Sequence, residues 1–398
     1  MTLAYGLCAL GLLALLHTYL IYPAYLGWRV ARLPPEALPP APDHWPLVSV
    51  LIAAHNEEAI IAEKLGTVFD SAYPEGRLRV YVGSDASTDR TNGIVAELTR
   101  TRSNLQFYPF GARRGKPGVI NELADIARQF RPAAADHIFL FTDANVLLDE
   151  HTIALLVRHL VADSRLALVD SHLVHTRPGQ GGVGASERAY INREVRIKYR
   201  EGRLWGCMIG PFGGCFALRS TYFEPVPGHF LVDDFYLAMR AFAAGGSARN
   251  ELSAYSYEAV GERMRSEFRR KARISTGNVQ NLLAFRSYWW PPTTALRFAF
   301  FSHKILRWLG PFWLLLLIAG ATWAMLAEAP GGVGLFWGLV GLLFGLPVLD
   351  YCLQRGGLHL AALRAWRYFI VMNIALAVGW WRYFGTEQHG IWEPSRRK

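Results

Sequence analysis

The sequence has only four cysteines among its 398 residues, and it contains long stretches without any charge. Cys8, Cys207, Cys215 and Cys352 show neither the spacing of a metal site nor that of a disulfide framework. Their pattern therefore excludes a disulfide-stabilised secreted domain and is typical of a protein in a reduced compartment. No internal repeat is found, and residues 33–46 form the one biased segment, which is rich in proline and predicted to be an extended linker.

Asp, Glu, Lys and Arg are absent from three runs, 3–28, 308–327 and 329–349. Each run is long enough to cross a membrane, since about 20 apolar residues span a hydrocarbon layer of about 30 Å. The first run lacks the basic start and the small-residue cleavage site of a signal peptide. A fourth run, 368–381, has only 14 residues between two arginines, and we expect either a short span or, with a weak preference, a helix lying in the interface.

Basic residues outnumber acidic ones by 42 to 32, which gives a net charge of +10. Arg29 and Arg32 follow the first apolar run, and Lys304 and Arg307 precede the second. By the positive-inside rule, residues between these two groups face the cytoplasm of a plasma or inner membrane. We therefore expect membrane lipids as partners, and no nucleic acid.

Four apolar segments alternate with helical patterns in the middle of the chain: Leu47–Ala53, Leu78–Asp85, Ile138–Thr142 and Leu166–Asp170. Such alternation predicts an α/β fold with an open, mostly parallel, Rossmann-like sheet. Ligands bind such sheets beyond the carboxyl ends of the strands.

Polar side chains stand at these predicted strand ends: Asn56 and Glu57, Asp85, and Asp143. Asp143 and Asn145 would offer a carboxylate and an amide oxygen, which are hard ligands suited to Mg²⁺ or Mn²⁺. The alternative for these two residues is an ordinary strand-to-loop turn, where Asp and Asn are common.

The segment from Val48 to about Leu283 resembles the catalytic domain of glycosyltransferase family 2, in particular its membrane-bound synthases of cellulose, chitin, hyaluronan and poly-N-acetylglucosamine. Six stretches carry the resemblance in order: "VSVLIAAHNEE", "GSDASTDRT", "RRGKPGVINE", "TDAN", "FGGCFALRS" and "LVDDFYLAMRAFAAGG". Ser84 and Ala86 depart from the family's Asp-Asp-Gly-Ser-x-Asp pattern. The resemblance implies a GT-A-type sheet flanked by transmembrane helices.

The resemblance also implies which residues bind the donor, a nucleotide-sugar that is expected to be UDP-linked. Glu57 and Asp85 would contact the base and ribose, Lys116 would meet the negative charge of the nucleotide, and Asp143 would hold it through the cation. Asn56 belongs to the same donor-binding set. The structural alternative for residues 56–58 is a helix N-cap. The alternative for Lys116 is a solvated side chain, since a lone lysine on a basic loop is more often solvated.

Asp234 is the residue that we expect to act as the catalytic base, because inverting transfer needs one base near the acceptor hydroxyl. The resemblance places Asp233, Gly213 and Gly214 at the acceptor. The alternative for the two acids is a pair capping the helix that follows, and glycines also occur in tight turns with no ligand.

Of two further segments, one departs from the family and the other resembles it. Arg270 and Ile274 stand where the family has the Gln and Trp of Gln-x-x-Arg-Trp, with Arg273 at the Arg position, and this departure places processive polymerisation in doubt. Arg273 is expected at the donor pyrophosphate and Arg270 at the acceptor; a basic helix on anionic lipid is the alternative for this region. Trp392 of the basic tail corresponds to a family residue that closes over the site.

These observations predict six segments: an anchor (1–28), a linker (29–46), a cytoplasmic catalytic domain (47–290), an interfacial helix (291–307), C-terminal membrane or interfacial helices (308–384) and a basic tail (385–398). The expected function is inverting transfer of a sugar to a growing extracellular polysaccharide, with export or assembly partners. The alternatives are a single transfer to a lipid acceptor and a non-catalytic subunit of an export complex.

Overall fold

The computed structural model describes residues 2–74, 76–130, 136–176, 183–259, 264–358 and 360–385. Contacts divide the chain into two compact units. One unit contains the described parts of 29–177 and 193–261, and the other contains those of 1–28, 178–192 and 262–386. Each unit is described by itself.

The first unit is built on one sheet, which has eight strands in the described residues. The strands are β1 (Leu47–Ala54), β2 (Leu78–Asp85), β3 (Leu105–Phe110), β4 (His137–Thr142), β5 (Val146–Leu148), β6 (Leu166–Thr176), β7 (Cys215–Arg219) and β8 (Ser247–Ala259). Their spatial order is β3-β2-β1-β4-β7-β6-β8-β5.

The described helices belong to both units. They are α1 (Thr2–Leu16), α2 (Tyr22–Val30), α3 (Ile61–Phe69), α4 (Thr91–Thr101), α5 (Gly115–Gln129), α6 (Thr152–Ala162), α7 (Val183–Trp205), α8 (Asp233–Ala243), α9 (Met264–Ala284), α10 (Ala295–Ala299), α11 (Leu306–Trp308), α12 (Gly310–Leu326), α13 (Gly332–Val340), α14 (Leu346–Arg355) and α15 (Ala361–Gly385). Helices α3 to α6 and α8 lie wholly in the sheet unit.

The sheet is mixed, so the prediction of a mostly parallel sheet is confirmed for one half only. Strands β3, β2, β1 and β4 are parallel neighbours, as is the pair β6 and β8. Strand β7 enters antiparallel between β4 and β6, and β5 pairs antiparallel with β8. Strands β3, β5, β7 and β8 were not among the four segments predicted from the sequence.

Helices cover both faces of the parallel half. Every residue of β1 is buried, as its unbroken apolar run predicts. Val48, Val50 and Ile52 of β1 join one core cluster with side chains of α3, α4 and α6. Gly83 of β2 faces the other way, and a Cβ there would lie 2.4 Å from Val119 of α5, so α5 packs on the opposite face.

The second unit contains the apolar helices. In the described part of the chain, three continuous helical stretches are long and apolar enough to cross a membrane: Thr2–Val30 (α1 and α2), Gly332–Arg355 (α13 and α14) and Ala361–Gly385 (α15). A bent pair of helices could form a fourth span. The predicted run 308–327 belongs to this pair, Ala295–Trp308 and Gly310–Leu326, whose axes differ by 61°. Proline at the start of the second helix cannot donate a hydrogen bond to the preceding turn, which explains the break.

The last described helix is longer than the uncharged run that predicted it. The helix extends over 25 residues and includes three arginines near its ends. Its length and composition are sufficient for it to cross a membrane. Whether this helix crosses the membrane or lies in the interface stays a prediction.

Candidate active site

The polar residues predicted at the strand ends do meet at one edge of the sheet. Strand β1 pairs with β2 on one side and β4 on the other, all in the same direction. Asn56 follows β1, Asp85 ends β2 and Asp143 follows β4. Their position beyond the carboxyl ends of parallel strands is the usual binding edge of such sheets.

Asp85 holds the loop that leads into α5. Its side chain is fully buried, and it accepts hydrogen bonds from Arg113 Nε at 3.0 Å and from the backbone N–H groups of Arg114 and Gly115 at 2.5 and 3.2 Å. Negative charge is stabilised at a helix N-terminus. Both carboxylate oxygens are therefore engaged in positioning this loop, and direct contact with a ribose stays a prediction.

Asn56 and Glu57 form part of a second loop junction. The side-chain oxygen of Asn56 accepts a hydrogen bond from the Thr88 N–H at 2.8 Å, and the backbone N–H of Glu57 donates to Thr91 Oγ1 at 2.9 Å. Helix α3 begins only at Ile61 and has no side-chain cap, so residues 56–58 do not form the helix N-cap considered above. They join the loop after β1 to the loop after β2.

The neighbouring turn has a backbone conformation that favours glycine, although this chain has alanine there. Ala86 has φ +53, in the left-handed region, and it stands where the family has glycine. Asp89 stabilises the same turn, since it accepts hydrogen bonds from the Glu58 N–H at 3.1 Å and from Thr91 Oγ1 at 2.6 Å.

Lys116 connects the two acidic groups of the site. Its ammonium lies 2.8 Å from Asp143 Oδ1 and 3.3 Å from Asp233 Oδ2. Burial alone would lower the pKa of Lys116, but the carboxylates of Asp143, Asp233 and Asp234 outweigh it and raise the pKa. Lys116 is thus a charged side chain between carboxylates, unlike the solvated lysine that was the alternative.

Asp234 lies beside Asp233 in the first turn of α8. Its Oδ1 accepts a hydrogen bond from the Phe235 N–H at 2.6 Å. Burial and the neighbouring charge of Asp233 raise the pKa of Asp234 to about 6, against the opposing effect of Lys116. A carboxylate with such a pKa is a better proton acceptor near neutral pH than an ordinary aspartate.

This pKa predicts the pH dependence of the reaction. Asp234 must be unprotonated to accept a proton, so kcat/KM should fall about tenfold per pH unit below a pH of about 6. The measurement is kcat/KM between about pH 4.5 and 8, with the folded fraction checked at each pH. An acidic limb at the usual aspartate pKa of about 4 would contradict this account.

Gly213 lies next to this carboxylate, and the acceptor-binding role of Gly213 and Gly214 stays a prediction. Gly213 has φ +78, and a Cβ built on it would be 2.5 Å from Asp234 Oδ2. A Cβ on Gly214 would be 3.0 Å from the side chain of Leu173. The glycine at 213 is needed both for the backbone conformation and for the close approach of the carboxylate.

Gly213→Ala should therefore lower kcat by roughly 10²-fold, because it must displace the Asp234 carboxylate. Gly245→Ala is the matched control: Gly245 has φ +84, but a Cβ there meets nothing within 4 Å. Both variants should lose roughly 1–2 kcal/mol of stability from backbone strain. Equal activity of the two purified variants would show that contact with Asp234 is unimportant.

Asp143 and Asn145 are the residues that could hold a divalent cation. They lie in the turn between β4 and β5, and the Asn145 side-chain N–H₂ is 3.5 Å from Glu258 Oε1. Among the described residues, no three His, Cys, Asp or Glu side chains form a metal cluster. A carboxylate and an amide fit an Mg²⁺-like ion that takes its other ligands from water and phosphate, and the ammonium of Lys116 at Asp143 shows that the position attracts positive charge.

The remaining predicted site residues are Arg270, Arg273 and Trp392. Arg270 and Arg273 lie on α9, in the helical unit, and Arg270 forms a two-point ion pair with Glu267 of the same helix at 2.9 and 3.0 Å. Their roles at the donor and acceptor stay predictions. Trp392 lies outside the described residues.

A buried carboxyl group behind the glycine loop was not predicted from the sequence. Asp170 is fully buried and accepts hydrogen bonds from the Phe212 N–H at 3.3 Å and from Asn250 Nδ2 at 2.9 Å. Lys198 lies 3.4 Å from the centre of the Phe212 ring. Burial raises the pKa of Asp170 to about 7, although Lys198 lowers it. Its place at the end of an apolar run, like that of Asp85, was the available signal.

Comparison with known proteins shows what the chain is similar to. Residues 49–225 match the family model described as glycosyl transferase family 2. A relative named "Probable glycosyltransferase YdaM", from Bacillus subtilis strain 168, is 27% identical over 254 residues, which are 60% of this chain and 57% of the relative. The beta-monoglucosyldiacylglycerol synthase of Nostoc sp. is 36% identical over 85 residues, or 21% of this chain and 18% of that protein.

A solved structure with a similar fold is the mannosyltransferase PcManGT from Pyrobaculum calidifontis, in complex with GDP-Man and Mn²⁺. The TM-score is 0.70 at 22% identity, and the match covers 95% of this chain and 99% of that one. This likeness concerns the fold alone. The chain spans 57% of the length of the Bacillus subtilis relative and 18% of the length of the Nostoc relative. Residues 49–225 are therefore similar to glycosyl transferase family 2, and the fold is a GT-A-like α/β fold.

Proposed function

We propose that this protein is a membrane-associated, inverting glycosyltransferase that uses a nucleotide-sugar donor. The observation that supports it most is the arrangement around Lys116, which contacts Asp143 on one side and Asp233 on the other. This arrangement brings the predicted donor group, at the end of β4, together with the acids at the start of α8 that would serve the acceptor.

The proposed reaction is a single displacement with one base. The Asp234 carboxylate takes the proton of the acceptor hydroxyl, the hydroxyl oxygen forms a bond to the anomeric carbon, and the bond to the nucleotide diphosphate breaks. The leaving diphosphate keeps the electron pair of that bond. Attack from the face opposite to the leaving group inverts the anomeric configuration.

Lys116 and Asp143 are assigned to the leaving group. The Lys116 ammonium, held at 2.8 Å from Asp143, provides a fixed positive charge where negative charge grows on the diphosphate. Asp143 and Asn145 would hold a divalent cation, which when bound stabilises the same charge. Asp85 keeps Lys116 in place indirectly, since it fixes the backbone of Arg114 and Gly115 just before it.

For the acceptor we propose a lipid in preference to a growing polysaccharide. One relative is named as a synthase of a glucosylated diacylglycerol, which is a lipid product. The absent Trp of the Gln-x-x-Arg-Trp segment also removes a ring on which a polymer sugar would stack. The helices long enough to span a membrane support a location where such an acceptor is available.

The test uses purified full-length protein in lipid nanodiscs, incubated with a panel of UDP- and GDP-sugars and Mg²⁺ or Mn²⁺. Nucleotide diphosphate release that requires both a donor and added lipid acceptor is the expected result. Product analysis then separates the acceptor classes: one sugar on a lipid supports single transfer, and a ladder of lengths supports a polymer. Absence of diphosphate release with every donor would count against the transferase, while release by a variant with Asp234→Asn at the wild-type rate would reject the mechanism.

A further inference from the structure

A lysine that the reaction does not use lies buried beneath the candidate cation site. Lys64 of α3 is 0% exposed. Its ammonium donates hydrogen bonds to Thr142 Oγ1 at 2.8 Å and to the carbonyl oxygen of Val146. These two residues stand directly before and directly after Asp143-Ala144-Asn145.

Burial of an ammonium group is unfavourable, and only specific contacts offset it. Here burial lowers the pKa of Lys64 to about 8, while the nearby Cys215 and Asp143 act in the opposite direction. A methionine would fill similar space on this helix without that cost. What the ammonium adds is a pair of directed hydrogen bonds that join the end of β4 to the start of β5.

The same contact reaches the glycine loop. Thr142 Oγ1, which accepts from Lys64, donates to the carbonyl oxygen of Gly214 at 2.9 Å. The backbone N–H of Asp143 donates to that same oxygen at 3.2 Å. Lys64 thus supports both the turn that carries the candidate ligands and, through Thr142, the loop beside Asp234.

We propose that Lys64 is a positioning residue for the cation site: its ammonium joins the two ends of the Asp143–Asn145 turn and so limits how far the two candidate oxygen ligands can move apart. This inference rests on the proposed function, because it assumes that these two side chains bind the cation. Removing groups that orient metal ligands typically weakens metal binding about 10- to 100-fold.

The experiment measures Mn²⁺ binding by the EPR signal of free Mn²⁺, with purified full-length protein in the presence of UDP and, separately, GDP. Lys64→Met and Thr142→Val should each weaken Mn²⁺ binding by about 10-fold or more, whereas Thr142→Ser keeps the hydroxyl and should bind like wild type. The double variant Lys64→Met/Thr142→Val should bind little worse than either single variant, because both changes remove one shared contact.

Thr67→Val is the matched control for stability. Thr67 lies on the same helix, and its hydroxyl accepts a hydrogen bond from the Leu148 N–H at 3.2 Å, so it joins α3 to β5 beyond the turn. This variant should lower the melting temperature without changing Mn²⁺ affinity. If Thr67→Val weakened Mn²⁺ binding as much as Lys64→Met does, the effect would be one of general stability and the proposal would be wrong.

Asp143→Ala distinguishes a failure of the inference about Lys64 from a failure of the proposed cation site. If Asp143→Ala loses Mn²⁺ binding while Lys64→Met and Thr142→Val keep it within about twofold of wild type, the inference about Lys64 fails and the cation site stands. If Asp143→Ala binds Mn²⁺ like wild type, the cation site is elsewhere, and both proposals about this turn fail. Should Lys64→Met not fold, the comparison of Thr142→Val with Thr142→Ser decides alone.

Discussion

Asp234→Asn should lower the rate of sugar transfer by roughly 10²-fold or more, which is the usual contribution of a general base. The amide has nearly the same shape as the carboxylate, so donor affinity should stay within a few-fold of wild type. The physical reason is that the Phe235 N–H can still donate to the side-chain oxygen, while the proton acceptor is lost. Single-turnover transfer and donor Kd, measured on the same preparation, check the two halves of this expectation.

Asp233→Asn is the control for this variant, because it removes the same charge at the same helix end. Asp233 contacts Lys116 at 3.3 Å, so its loss should alter the charge around the lysine and cause a smaller fall in rate. The acidic limb of the pH profile should persist in Asp233→Asn. Its midpoint should move to lower pH, because the variant lacks the negative charge of Asp233 that raises the pKa of Asp234. Equal losses in the two variants would leave Asp234 without a special role.

Asp143→Ala should remove the metal-dependent part of nucleotide binding, a loss of at least about 100-fold in apparent Mn²⁺ affinity. The amide of Asn145 alone is a poor partner for a strongly hydrated ion. Nucleotide binding without metal should remain in this variant. The Lys116 ammonium, which lies 2.8 Å from Asp143 in the wild type, is still present to meet the negative charge of the nucleotide. Titration of UDP and GDP with and without Mn²⁺ separates the two effects.

Two further variants sharpen this prediction. Asn145→Asp restores the acid of the family pattern, and it should keep or strengthen Mn²⁺ binding. Asp149→Ala removes an acid at the end of β5 whose Oδ1 accepts from the His151 N–H at 3.1 Å, and it should leave Mn²⁺ binding unchanged. Mn²⁺-dependent nucleotide binding by Asp143→Ala at the wild-type level would place the site elsewhere.

Local sequence patterns predicted the parallel half of the fold because each strand there is a short apolar run. Leu47–Ala53, Leu78–Asp85 and Ile138–Thr142 were expected, and β1, β2 and β4 begin and end within one residue of them. The strands that were missed have weaker patterns: β5 has three residues, and β8 mixes polar and apolar residues because much of it is only partly buried. Strand β7 was not predicted, because Gly213 and Gly214 directly before it led us to interpret this segment as part of the acceptor site.

The membrane segments also combine features that the sequence predicts with features that it does not. An apolar run predicts that a helix can cross a membrane, since composition decides the transfer free energy. It does not predict where a helix bends or how far charged ends extend it. The 61° bend before Gly310 and the extension of the last helix to Ala361 were both absent from the predictions.

By itself the sequence determined which chemistry is available: acids at the ends of apolar strands, a lysine after a glycine, and two adjacent acids before a helix. Residue type and strand order are enough for this, because side chains after parallel strands share one edge of the sheet. Tertiary structure alone decided which groups meet. Lys116 and Asp143 are 27 positions apart in sequence and 2.8 Å apart in space. Lys64 and Thr142 are likewise 78 positions apart and 2.8 Å apart. Burial also depends on tertiary packing, and it raises the pKa of Asp234 and lowers that of Lys64, since both shifts come from the loss of water around a charged group.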